Sequence, residues 1–118
     1  MKRRPGTLID LEASILATGI DLRVRGAPYF HGFLIAREMK DREGARLLTA
    51  HGTLYRALDR LQRGGLLESE WEDPILAADE GRPRRRFYRV TPAGEAALAK
   101  HRAAIATRVS LRPGLASQ

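Results

Sequence analysis

Cysteine is absent from this chain, which excludes disulfides and, with them, thiolate metal sites. The three histidines, His31, His51 and His101, fall on different predicted elements and at no metal-ligand spacing. A glycine-rich phosphate loop is also missing, because Gly64-Gly65 reads as a helix stop, and Ser14, Ser69 and Ser110 have no nucleophile context. The residues therefore call for no metal and no cofactor, and an enzyme reading, such as a small hydrolase or metalloenzyme, is disfavoured. No apolar run approaches the roughly 20 residues of a membrane span. The start, Met1-Lys2-Arg3-Arg4 before an apolar run, resembles a signal peptide only superficially, since Asp10 and Glu12 interrupt the run. The expectation is a soluble, cytoplasmic protein with no membrane partner.

Lysine is scarce, with three Lys beside eighteen Arg. The 118 residues carry a formal charge of +7 and a sequence pI of about 10.7, which favours a polyanionic partner. Arginine-heavy coding would give the same total, so the distribution says more. Residues 66–80 hold six acids and no Lys or Arg, whereas residues 81–118 hold nine Lys or Arg and one acid. Charge segregated in this way suggests a face or loop with a task. The length is that of a single domain.

Thr7 is placed to cap a first helix, with Asp10 in capping-box position. From Leu8 to about Ile20 the apolar residues cover more than one face, and the excess suggests packing against a second subunit as well as the protein's own core. A simply well-buried helix is the alternative. Asp21 to Pro28 reads as a loop, and a second helix follows from about Phe30 to Arg42, broken by Gly44. Leu47 and Leu48 lie in the connection, and Thr49 or His51 opens a third helix.

In that third helix Leu54, Leu58 and Leu61 share one stripe, while Thr53, Tyr55, Arg56, Asp59, Arg60 and Arg63 remain for the outside. Gly64-Gly65 ends it through the left-handed conformation that glycine adopts cheaply. A strand from Leu66 to Trp71, a loop over residues 73–83 and a second strand from about Arg84 to Val90 form a hairpin with a basic-tipped loop. Glu68, Glu70 and Glu72 share one face of the first strand, which puts Trp71 on the other, toward core or interface. Thr91 with Pro92 starts a last helix running to about Ser110, on which Leu98, Ile105 and Val109 mark a thin stripe suited to a partner helix.

The pattern is that of a mainly α protein with a two-stranded β wing: a winged helix-turn-helix over residues 7–91, a C-terminal dimerisation helix over 92–110 and a frayed tail over 111–118. The major groove of B-DNA accepts an α-helix, so His51, Thr53, Tyr55 and Arg56 are candidates for base edges, and Arg60 and Arg63 for phosphates. Arg82, Arg84, Arg85 and Arg86 at the wing suit the minor groove or the backbone. The acids of residues 68–80 would repel phosphate, so they should lie off the DNA or fold onto arginines. Leu8, Leu11, Ile15, Leu98, Ile105 and Val109 are the expected dimer contacts.

The strings Gly52-Thr53-Leu54-Tyr55-Arg56-Ala57-Leu58-Asp59-Arg60-Leu61, Gly65-Leu66-Leu67-Glu68-Ser69 and Arg85-Arg86-Phe87-Tyr88-Arg89-Val90-Thr91-Pro92-Ala93-Gly94 together resemble the PadR-type transcriptional regulators. His31-Gly32-Phe33 is similar to that family's His-Gly-Tyr opening of the second helix. The resemblance covers roughly residues 8–100. It implies a bacterial, homodimeric DNA binder, usually a repressor, whose recognition helix uses the positions of Thr53, Tyr55 and Arg56. It implies dimerisation through the last helix, often with the first. The short C-terminal region resembles the smaller subfamily, some of whose members bind aromatic or drug-like effectors at the dimer interface. Two features depart from the family: a longer connection from Gly19 to Pro28, and Ala50-His51 where serine or proline commonly precedes the glycine. The alternative function is a winged-helix protein-interaction or effector-sensing module without specific operator binding.

Overall fold

A computed structural model of the chain describes residues 7–43 and 51–110, with Glu43 and His51 as backbone only. Their order is α1 (Asp10–Val24), α2 (Gly32–Glu43), α3 (His51–Arg63), β1 (Leu67–Trp71), α4 (Pro74–Asp79), β2 (Arg86–Val90) and α5 (Pro92–Ser110). This is the expected mainly helical architecture with a two-stranded antiparallel hairpin. Gly44, Leu47, Leu48, Thr49 and Ala50, together with the tail from residue 111, lie outside the described residues. No helix among the described residues is long and apolar enough to cross a membrane.

The first helix differs from its sequence reading at both ends. Its N-cap is Ile9 rather than Thr7, and Glu12 reaches back so that Oε1 accepts the Ile9 N–H at 3.1 Å. A carboxylate at the third helical position thus satisfies a donor that the helix itself leaves open. At the other end the helix continues to Val24, where Ala27 N–H bonds to the Leu22 carbonyl at 2.8 Å. The connection expected from Gly19 to Pro28 is therefore short. Gly19 is inside the helix, where a Cβ would approach Phe30 and Val90 at 2.8 Å.

The apolar excess of α1 is covered within the chain. α2, α3, α5 and β2 all pack against it, and Leu8, Ile15 and Leu16 join Phe30, Ile35, Leu58, Leu67 and Leu98 in one hydrophobic cluster. Each such side chain contributes about 1.5–3 kcal/mol by leaving water. Leu8, Ile15 and Leu98 are consequently core residues, which corrects their assignment to a dimer contact, and Leu11 is partly buried against the same cluster. Ile105 and Val109 differ: they are 37% and 47% exposed.

Gly65 takes a φ of +77°, and Leu66 N–H bonds to the Leu61 carbonyl at 2.9 Å, so the stop read from Gly64-Gly65 is a Schellman-type end. Leu67 pairs with Val90 and Trp71 with Arg86 in the hairpin. Phe30 adds a backbone bridge to Tyr88 on the far edge of β2, with N–H to carbonyl distances of 3.0 and 2.8 Å. Residues 74–79 form a short helix instead of the expected loop. Asp73 caps it by accepting the Ile75 N–H at 2.8 Å, with Pro74 in its first turn. Asp and Pro read equally as turn or helix start, and six residues are too few to show helical periodicity.

Thr91 caps α5 as expected. Its Oγ1 accepts the Gly94 N–H at 3.0 Å and donates to the Gly65 carbonyl at 2.7 Å. A Cβ on Gly94 would collide with the Leu66 carbonyl oxygen and lie 2.9 Å from Val90 Cγ1. Gly94→Ala is accordingly expected to destabilise the fold by about 1–3 kcal/mol. Urea denaturation followed by circular dichroism would measure it, with the exposed Gly52→Ala, whose nearest neighbour is Arg56 Nη1 at 3.5 Å, as the tolerated control.

Candidate nucleic-acid interface

Leu54, Ala57, Leu58 and Leu61 turn one side of α3 into the core and leave Thr53, Tyr55, Arg56, Arg60 and Arg63 on the outside. The division of labour read from the helical period is the observed one. Tyr55 is 46% exposed, yet it also closes the angle between α2 and α3. A Cβ on Gly32 would fall inside the van der Waals radius of the Tyr55 hydroxyl and ring, so glycine at the start of α2 makes room for that tyrosine. Arg56 Nη2 donates to Thr53 Oγ1 at 3.2 Å, one turn away on the same face. The side chain expected of His51 lies outside the described residues.

Arg60 has a second attachment. Its Nη1 donates at 3.0 Å to Oε2 of Glu12, whose side chain is only 2% exposed. A buried carboxylate needs compensation, and here α3 supplies it to α1. Arg60 is therefore a link inside the protein, although half of its side chain still faces solvent. Arg63 lies beside Asp59 at 3.0 Å on the surface.

The hairpin divides its arginines more sharply. Arg82 is enclosed by acids: Nη1 and Nη2 donate to the two Glu72 oxygens at 2.6 and 2.7 Å, and Nε to Glu80 at 2.6 Å. The Arg82 hydrogen bonds, with help from the Arg85 backbone N–H, lower the Glu72 pKa to about 2 against the opposing effect of burial. Arg82 is thus structural, a correction to its place among the groove-facing residues. The tip of the wing is likewise not basic: it carries Asp73, Asp79 and Glu80 with the exposed Ile75 and Leu76. The expectation that acids fold onto arginines holds here and again at Glu68, which pairs across the strands with Arg89.

Arg84, Arg85 and Arg86 remain, at the stem. Arg86 donates from Nε and Nη2 to Ser69 Oγ at 3.1 and 2.9 Å. Its Cζ is 5.5 Å from the centroid of Trp71, and that of Arg84 is 5.2 Å from it. Trp71, expected in core or interface, lies outside the core, 55% exposed under two cations. Strand alternation puts Trp71 and Arg86 on the same side as Leu67, Tyr88 and Val90. β1 packs against α3, so the hairpin adjoins that helix. Arg85 acts on His31 instead: burial first, then the charges of Arg85 and Arg82, lower the His31 pKa. Neutral His31 accepts the Leu34 N–H at Nδ1, 3.2 Å away, and so caps α2.

Thr53, Tyr55 and Arg56 lie on the exposed face of α3, Arg84 and Arg86 stack on Trp71 of the hairpin that packs against α3, and Arg82 is taken up by Glu72 and Glu80. Sequence reasoning missed Glu12, Glu72 and Trp71. Only for Trp71 was there a signal, its alternation with the three glutamates. Among the described residues no His, Asp and Glu side chains group as a metal site.

Arg60→Ala is expected to cost about 1–3 kcal/mol of stability without any ligand, because Glu12 stays buried with one donor fewer. Arg84→Ala should stay within about 0.5 kcal/mol, and urea denaturation separates the two. The Glu72 carboxylate, held below its unfolded value of 4.5, stabilises the wing above that pH. Its contribution fades as the pH falls from there through about 2. Carbon NMR titration of Glu72 should give that low midpoint in the wild type and a return toward the ordinary carboxylate range in Arg82→Gln.

Residues 24–100 match the model of the Transcriptional regulator PadR-like family. Over 75 residues the chain is 44% identical to transcriptional regulator Rv3488 of Mycobacterium tuberculosis, a match covering 64% of this chain and 62% of that protein's length. Its fold is similar to that of a transcriptional regulator from Clostridium thermocellum, with a TM-score of 0.64 at 21% identity over 83% of this chain and 82% of the other. It is also similar to Bacillus subtilis PadR solved in complex with operator DNA, with a TM-score of 0.58 at 19% identity over 77% of this chain and 45% of the other. With helix, stop, wing and capped last helix all in place, the chain belongs to the PadR-like family of transcriptional regulators.

Proposed function

We propose that this regulator binds a specific operator as a homodimer and acts as a repressor, with α3 in the major groove and the wing stem against the adjacent backbone. The observation that carries the reading is the exposed polar face of α3 formed by Thr53, Tyr55 and Arg56, together with the Arg84–Trp71–Arg86 stack on the hairpin that packs against that helix. Bacillus subtilis PadR, a protein of similar fold, was solved in complex with operator DNA, which supports DNA as the partner. Residues 7–91 would form the DNA-binding unit.

The last helix is the proposed dimer element. From Arg102 to Ser110 every residue is exposed, and Ile105 and Val109 are four apart, hence on one stripe. In a two-fold dimer the recognition helices would meet major grooves about 34–36 Å apart and read a pseudo-palindrome. An aromatic or drug-like effector at the dimer interface is the regulatory input that the smaller subfamily suggests.

If about eight phosphates are neutralised per dimer, log affinity falls against log salt with a slope near −7. Arg84→Ala, acting in both subunits, should flatten the slope by about 2. Fluorescence anisotropy on DNA upstream of the coding sequence, with random duplex as competitor, measures both slope and preference. Tyr55→Phe keeps the ring over Gly32 and removes the hydroxyl, so it should lower preference for that DNA while leaving random-duplex affinity unchanged. A wild-type protein with no preference would return the reading to a protein-docking or effector-sensing module.

A further inference from the structure

Trp71 has no role in the hydrophobic cluster, and an exposed indole is poorly placed for stability alone. What it does touch is charge. The Cζ atoms of Arg84 and Arg86 lie 5.2 and 5.5 Å from its ring centroid. Two guanidinium groups repel one another, and the negative face of one aromatic ring offsets that repulsion. Arg86 is fixed further by Ser69. Among the described residues Arg84 enters no ion pair, and Trp71 is its ordering partner.

We propose that Trp71 is a positioning residue for nucleic-acid binding: it stacks Arg84 and Arg86 and presents them as an ordered pair of cations at the phosphate backbone beside α3. The inference rests on the DNA-binding reading above. A free arginine loses considerable rotamer freedom when it grips a phosphate. A stacked one has surrendered much of that freedom beforehand, while its in-plane N–H edge stays open to phosphate oxygens. The ring also fixes where the cations stand: at the last pair of the ladder, Trp71 with Arg86, on the side shared with Tyr88. The wing would thus grip the backbone by its stem.

The test is a double-mutant cycle on a fluorescein-labelled duplex of random sequence at low ionic strength, read by anisotropy. Trp71→Leu should weaken binding about fivefold or more per protomer. In the Arg84→Ala/Arg86→Ala background the same change should cost nothing further. Trp71→Phe and Trp71→Tyr should fall between wild type and Trp71→Leu, since the face of tryptophan attracts cations best. Trp71 is the only tryptophan in the chain, so its emission should also change when the unlabelled duplex binds. An equal cost of Trp71→Leu in both backgrounds would assign Trp71 to wing structure and overturn the proposal, as would wild-type affinity in Trp71→Leu. A wild-type protein that binds no duplex would instead overturn the DNA-binding reading beneath it.

Discussion

The packing of α3 onto α1 is the constraint on which the outer surface depends. Leu54, Leu58 and Leu61 are buried in the same cluster as Ile15 and Leu16, and rotating α3 by one residue would move about 100° of its surface out of register. The Glu12–Arg60 bond adds direction to an otherwise non-directional contact. Hydrophobic burial sets which side of α3 faces inward; a single charge-assisted hydrogen bond restrains rotation and sliding along that side. The external faces of Thr53, Tyr55 and Arg56 are consequences of both.

Net charge is a poor guide to where the molecule can attract an anion. Arg60, Arg63, Arg82 and Arg89 all stand within salt-bridge distance of a carboxylate of the same chain. Among the described residues no such carboxylate stands at Arg56 or at Arg84, Arg85 and Arg86, nor at Lys100, Arg102 and Arg108 on α5. The Arg82 cluster has a separate task, closing the wing around α4 so that Glu72 can also hold the Arg85 backbone N–H at 3.2 Å. Charge in this protein therefore has an internal function, joining α3 to α1 and β2 to β1, besides the outward one proposed for Arg56 and the stem.

Elements longer than ten residues were legible in the sequence. α3 showed its leucine stripe and glycine stop, and α5 its Thr91-Pro92 start, because those signals are local. What could not be read was set by distance along the chain. The surplus apolar faces of α1 suggested a partner subunit, since periodicity reports how much surface wants burial but not which neighbour covers it. Residues from α2, α3, β2 and α5 cover it. Arg82 looked like its neighbours Arg84 and Arg85 until Glu72, ten positions earlier, folded onto it. Trp71 was placed on the correct face of β1, but the sequence did not show that the core ends before that position is reached.

Thr91 joins the end of α3 to the start of α5. Its hydroxyl holds the Gly65 carbonyl and its N–H the Leu66 carbonyl at 3.1 Å, while Gly94 lies too close to Leu66 to admit a side chain. That joint works as a protractor. α5 has 19 residues and extends about 28 Å, so a tilt of about 10° at Thr91 displaces its far end by about 5 Å. With α5 as the dimer element, the same tilt shifts each recognition helix relative to the two-fold axis by more than the rise of one base pair, about 3.4 Å. On the proposed dimer, the spacing of the half-sites it reads would be a property of three hydrogen bonds and one missing methyl group, remote from any base.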